Sequence, residues 1–122
     1  MNHTTEKTNL RRLGAEYEEK AAACLEKAGY RILEHNFRAP RGEIDLVAEE
    51  GGYLVFIEVK YRSSNRSGFS AEAVGPAKQK RILAAALYYL AVHRLPESTP
   101  VRFDVVAIDG GRVRLIRNAF GS

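Results

Sequence analysis

Apolar and polar positions alternate with two distinct periods along this chain. From Asn9 to about Ala28 the apolar residues Leu13, Tyr17, Ala21, Cys24, Leu25 and Ala28 recur at helical spacing. Asn9 can cap this helix, and Gly29 ends it. Residues 1–8 are polar and predict a mobile tail, leaving 9–122 as a single domain. The period then shortens to two. Strands are expected over Tyr30–Phe37, Glu43–Glu49 and Tyr53–Arg62, with turns at Ala39-Pro40-Arg41-Gly42 and Gly51-Gly52. Ser63–Ser70 is a polar loop. A second helix is expected from about Pro76 to His93, with Gln79, Leu83, Ala86, Leu87 and Leu90 as its core-facing stripe. Val101–Ile108 and Arg112–Arg117 follow as strands, joined at Gly110-Gly111. The order α-β-β-β-α-β-β puts a helical crossover between the third and fourth strands, which allows those two to run parallel. The expected fold is α/β, a mixed central sheet flanked by helices.

The third strand departs from a purely structural pattern. Tyr53, Val55, Ile57, Val59 and Tyr61 share one face, and Leu54, Phe56, Glu58, Lys60 and Arg62 share the other. A carboxylate and an ammonium therefore stand at the end of a strand that otherwise reads as buried. Burying such charges is costly unless they are paired or hold a metal. Asp45 interrupts the apolar run Ile44, Leu46, Val47, and aspartate is a poor strand residue. The Gly51-Gly52 hairpin brings Asp45 back beside Glu58. Two carboxylates held close repel unless a cation or a proton lies between them. The bland alternative is a cross-strand salt bridge on a solvated face.

Helical phase separates the first helix's acids. Glu16 and Glu19 turn outward, whereas Glu18 lies at the edge of the buried stripe and points to the sheet. It is a candidate fourth member, or an ordinary edge ion pair. Gln79, at the start of the second helix's stripe, can orient a water, contact a phosphate or cap buried backbone.

Charge changes this picture modestly. The chain of 122 residues carries a formal net charge of +4, with 45% apolar and 28% charged residues. That permits a polyanionic partner without requiring one. No apolar run approaches the ~20 residues of a membrane span, and the polar N-terminus has no signal core, so a cytoplasmic protein is expected. Cys24, the only cysteine, excludes an internal disulfide and is expected to be a small buried thiol. One cysteine and three scattered histidines exclude a zinc site.

The segments Gly42-Glu43-Ile44-Asp45-Leu46-Val47-Ala48 and Leu54-Val55-Phe56-Ile57-Glu58-Val59-Lys60-Tyr61-Arg62 resemble the signature of the bacterial YraN-like proteins, relatives of the PD-(D/E)XK nuclease superfamily. Further matches are Gly29 to Leu33, Val74 with Lys78 and Arg81, and Arg102 to Val106. The resemblance implies a restriction-endonuclease-like core, α-β-β-β-α-β. Asp45, Glu58 and Lys60 fall on the superfamily's D…E-x-K positions. Glu18 falls on a first-helix glutamate used by archaeal Holliday-junction resolvases, although Tyr17 stands where a glycine often precedes it. Ile44 replaces the proline before the aspartate. The implied chemistry is hydrolysis of phosphodiester bonds by a magnesium- or manganese-dependent endonuclease. Its metal would be held by Asp45, Glu58, Glu18 and the Val59 carbonyl, with Lys60 acting on the water. Arg41, Arg62, Arg66, Lys78, Gln79 and Arg81 would hold the backbone of the nucleic acid, expected to be DNA, branched DNA included. Junction-cleaving relatives imply a homodimer. A non-catalytic nucleic-acid-binding domain and a protein-interaction scaffold stabilised by a structural ion network remain alternatives.

Overall fold

The computed structural model describes residues 3–62 and 74–121, with side chains described over 12–61 and 74–121. The elements are α1 (His3–Lys27), β1 (Arg31–Ala39), β2 (Gly42–Glu50), β3 (Tyr53–Arg62), α2 (Pro76–Val92), β4 (Val101–Asp109) and β5 (Arg112–Ile116). The five strands form one mixed sheet in chain order, antiparallel throughout except for the parallel β3–β4 pair joined across α2. This is the α-β-β-β-α-β-β order expected from the periodicity. No described helix is long and apolar enough to cross a membrane. Arg66 and the polar loop at 63–70 lie outside the described residues, as does the side chain of Arg62.

Helix α1 begins at His3 and not at Asn9. The stretch from Thr4 to Arg12 holds no glycine or proline, so nothing stops the helix extending once it is nucleated. It ends as expected. Gly29 takes φ 96°, and the Gly29 and Tyr30 N–H groups donate to the Glu26 and Leu25 carbonyls at 3.1 and 2.9 Å, a Schellman cap. Cys24 is half-buried, less covered than its sequence neighbours imply.

Each helix covers one face of the sheet. Ala21, Ala22 and Leu25 of α1 pack on Leu46, Val55, Ile57, Val59, Val106 and Ile108. Ile82, Ala85, Ala86, Tyr89 and Leu90 of α2 pack on Ile44, Val47, Leu54, Phe56, Phe103 and Val105. The even and odd residues of β3 thus part to opposite faces. The α2 stripe differs from the expected one, because Leu83 and Leu87 are about half exposed. This helix is apolar on two overlapping stripes. The one rich in small residues, Ala85 and Ala86, lets it sit closest to the sheet. Closeness is enforced at Gly42, where a Cβ would lie 2.8 Å from the Arg81 carbonyl oxygen. The β2–β3 turn has φ 59° at Gly51 and 86° at Gly52, the left-handed pair a type I′ hairpin needs.

Candidate metal and phosphodiester site

Strand β2 loses its regularity at Asp45. Ile44 packs with the α2-side cluster and Leu46 with the α1-side cluster, although a regular strand would put both on one face. Asn36, which lies across from Asp45 on β1, takes a left-handed φ of 52°, a conformation asparagine tolerates. The β2–β3 ladder ends at the Leu46–Ile57 pair. One position further, where Asp45 would face Glu58, the carboxylate of Asp45 accepts the Val59 N–H at 2.7 Å. A side chain has taken a ladder donor. In a strand the N–H and C=O of one residue point the same way, so the Val59 carbonyl also points towards β2.

Glu58 is 6% exposed and projects to the α2 face of β3. The Asp45 and Glu58 carboxyls are close enough for a protonated Asp45 to donate to Glu58. Burial pushes the Asp45 carboxyl up to about 8, and the charge of Glu58 adds to this. The Val59 N–H pulls the other way, while the hydrogen bond with Glu58 and the charge of Glu18 push it up further. Near neutral pH the Asp45 carboxyl therefore keeps its proton.

Glu18 is half-buried and close enough for its charge to reach Asp45, whereas Glu16 and Glu19 are exposed. Lys60 is half-buried on the same face of β3 as Glu58. Lys78 ion-pairs with the Glu58 Oε2, its own side chain 47% exposed. Lys78 thus touches the site itself and does not stand free on the surface. Gln79 caps backbone: its Nε2 donates to the Val74 carbonyl at 2.6 Å. Arg41 and Arg81 are exposed, and the Arg81 backbone abuts Gly42, three residues before β2 kinks at Asp45. The structure therefore brings Asp45, Glu58 and the Val59 backbone together, leaves Glu18 within reach of Asp45 by charge but outside a three-carboxylate group, sets Lys60 on the Glu58 face and adds Lys78.

The donor set is all oxygen. Two adjacent carboxylates and a backbone carbonyl suit a hard divalent cation, and magnesium keeps several waters when held by one or two carboxylates. Among the described residues no three Asp, Glu, His or Cys side chains are grouped so that they could hold a metal ion. The pair is consistent with an open site completed by water and substrate. A cleft of about 450 Å³ lined by Gly29, Glu50, Tyr53 and Thr99 lies at the hairpin end, away from the pair.

Asp104 shows what a structural buried acid looks like here. It is fully buried, and like Asp45 it interrupts an apolar strand. Its oxygens accept from Tyr30 Oη at 2.5 Å, from Arg102 twice at 2.9 Å and from the Asn118 N–H at 2.9 Å. Arg102 also pairs with Glu50 at 2.8 Å, and Arg117 donates to Tyr30 at 3.2 Å. Burial, then the hydrogen bond to Asp104, pushes the Tyr30 hydroxyl up to about 12. Each Asp104 oxygen accepts two donors, so this acid is saturated by the protein itself. The rule that singled out Asp45, an acid inside an apolar strand, applies equally to Asp104. Only the partners, which come from distant segments, separate them. The Lys78 contact had a sequence signal of its own, since the first turn of a crossover helix lies at the carboxyl end of the preceding strand.

Comparisons with known proteins agree with the family resemblance. Residues 17–108 match the family described as "Uncharacterised protein family UPF0102". A UPF0102 protein of Lachnoclostridium phytofermentans is 55% identical over 107 residues, covering 88% of this chain and 91% of the relative. Another from Syntrophus aciditrophicus is 50% identical over 113 residues, covering 89% of this chain and 88% of the relative. A third, from Symbiobacterium thermophilum, is 50% identical over 116 residues, covering 90% and 97%. With a family match across most of its length and relatives at half identity or better, the chain belongs to the UPF0102 family, the YraN-like proteins.

Proposed function

We propose that this protein is a metal-dependent endonuclease of the PD-(D/E)XK kind, hydrolysing phosphodiester bonds in nucleic acid. One observation carries the reading. Asp45 is a half-buried acid facing the buried Glu58, and among the described residues its donor is the Val59 N–H, whereas Asp104 in the same sheet accepts four donor contacts. Among the described residues Lys78 answers Glu58 and the Val59 N–H answers Asp45, and a divalent cation would answer the charge that remains between the two carboxyls.

Asp45, Glu58 and the Val59 carbonyl would hold magnesium or manganese, with Glu18 at the edge. Such an ion lowers the pKa of a bound water and offsets charge on the phosphate. Lys60, two residues beyond Glu58 on the same face, is placed to hold the attacking water and to oppose negative charge as it develops. Arg41, Lys78 and Arg81 supply positive charge for backbone phosphates at the same end of the sheet. DNA is the expected polymer, and the protein would work in the cytoplasm, as a homodimer if it follows junction-cleaving relatives.

The Lys78–Glu58 ion pair favours a second reading, in which the cluster is a structural ion network inside an interaction scaffold. A cleavage panel separates the two. Linear, flap and four-way DNA and RNA substrates are incubated with magnesium or manganese. The nuclease reading expects cleavage by wild type and its loss by ~100-fold or more in Lys60→Met, with the fold retained. No cleavage of any substrate with either metal, together with a Lys60→Met variant that melts far below wild type, would establish the ion network instead.

A further inference from the structure

We propose that the exposed ring of Tyr61 is a stacking platform for an unpaired nucleobase, so that the site accepts single-stranded or branched nucleic acid in preference to continuous duplex. The inference rests on the nucleic-acid reading above and names its substrate class. Tyr61 ends the α1-facing stripe of β3. The preceding members, Val55, Ile57 and Val59, are buried, whereas Tyr61 is 44% exposed. Tyr17 of α1 stacks on it, with ring centroids 4.3 Å apart and planes 17° from parallel. A ring with one face covered and this much exposure turns its other face to water.

The platform is built in place. The Tyr61 hydroxyl lies against α1 at Gly14, where a Cβ would meet it at 3.4 Å, so both ends of the ring are held by one helix. A base that stacks there immobilises no protein side chain, which favours binding. The ammonium of Lys20 lies 5.7 Å from the Tyr17 ring centroid, placing positive charge beside the column.

Position ties the platform to the chemistry. Tyr61 adjoins Lys60, and Glu58 is three residues back, about 10 Å along the strand. Glu58 and Lys60 project to the α2 face and Tyr61 to the α1 face, so an extended nucleotide stacked on Tyr61 passes its flanking phosphate round the end of the strand to reach them. In a duplex each base is stacked on both faces and paired at its edge, so it must be unstacked first. An unpaired base has that step behind it, and aromatic platforms serve every base because each has a π-face.

The test needs no metal. Labelled single strand, blunt duplex and flapped duplex are titrated with wild type, Tyr61→Phe and Tyr61→Leu in EDTA, and binding is read by anisotropy. Wild type should bind single strand and flap more tightly than duplex. Tyr61→Leu should lose roughly 5- to 100-fold on the first two and little on duplex. Tyr61→Phe keeps the ring and should bind as wild type. The chain has six tyrosines and no tryptophan, so tyrosine emission is visible. Its quenching by single strand should shrink in Tyr61→Phe although affinity is unchanged, a result that does not depend on how well Tyr61→Leu folds. Equal losses on duplex and single strand, or unchanged quenching in Tyr61→Phe, overturn the stacking site while leaving the nucleic-acid reading standing. A wild type that binds none of the three overturns both.

Discussion

Replacing Asp45 by Asn separates the carboxyl proton from everything else the residue does. Asn keeps an oxygen for the Val59 N–H and offers an N–H to Glu58, so both hydrogen bonds survive without a titrating group. In the wild type the folded carboxyl keeps its proton to near pH 8, against an ordinary value of 3.8. Between those values the folded state binds more protons than the unfolded one. Stability contributed by the proton is therefore complete below about pH 4, declines as pH rises, and is gone above about pH 8. At ~1.4 kcal/mol per unit, four units set an upper bound on the order of 5 kcal/mol. The Val59 N–H and Lys78 remain to support the ionised pair, and a realistic loss is on the order of 3 kcal/mol. For a domain of this size that is roughly 10 °C in Tm. Thermal melts of wild type and Asp45→Asn in EDTA, from pH 5 to 9, read the difference directly. The wild-type curve should fall relative to the variant, leaving Asp45→Asn the more stable protein at pH 8.5. Magnesium at pH 8.5 should raise the wild-type Tm and leave the variant's unmoved. Parallel curves across the whole range would refute the retained proton, and with it the electrostatic frustration argued for this pair.

Other substitutions probe the neighbours. Lys78→Met removes the cation that Glu58 holds in the metal-free protein. Because Lys78 is half exposed, about 1–2 kcal/mol of stability should go, by urea unfolding in EDTA. Its ammonium and a divalent ion compete for the same oxygen, so calorimetric magnesium affinity should rise roughly 5-fold in the variant, and an unchanged affinity would show that they do not compete. Asp104→Ala strands Arg102 and Tyr30 and should cost about 3–5 kcal/mol in chemical denaturation. Gly42→Ala sets a methyl 2.8 Å from the Arg81 carbonyl and should cost about 1–3 kcal/mol, because backbone must move apart from backbone.

What the sequence disclosed was local. Alternation in β3 assigned Leu54, Val55, Phe56, Ile57 and Val59 to the faces they occupy, Gly51-Gly52 marked the hairpin, and Gly29 marked the end of α1, each from a few adjacent residues. Phase in α1 also separated Glu18 from Glu16 and Glu19 correctly in exposure. The failures were those of competing solutions. Helix α2 is apolar on two overlapping stripes, and only the sheet's contour chooses Ile82 and Tyr89 over Leu83 and Leu87. Polar residues 1–8 looked like a tail, yet nothing from Thr4 onward breaks the helix that begins at His3. Long-range partnership was invisible altogether. Tyr30 reaches Asp104 across 74 positions, and no spacing rule could tell that acid from Asp45.

The central claim, that Asp45 and Glu58 form a divalent-metal site, is tested most directly by titrating manganese into the protein and following free ion by electron paramagnetic resonance. Wild type, Asp45→Asn and Glu58→Gln are compared at pH 8.5, where Asp45 has given up its proton. Wild type should take up manganese at millimolar concentration or below, magnesium should displace it, and each variant should bind at least ~10-fold more weakly while remaining folded. A wild type that leaves manganese free at millimolar concentration, or variants that bind it as wild type does, would contradict the account.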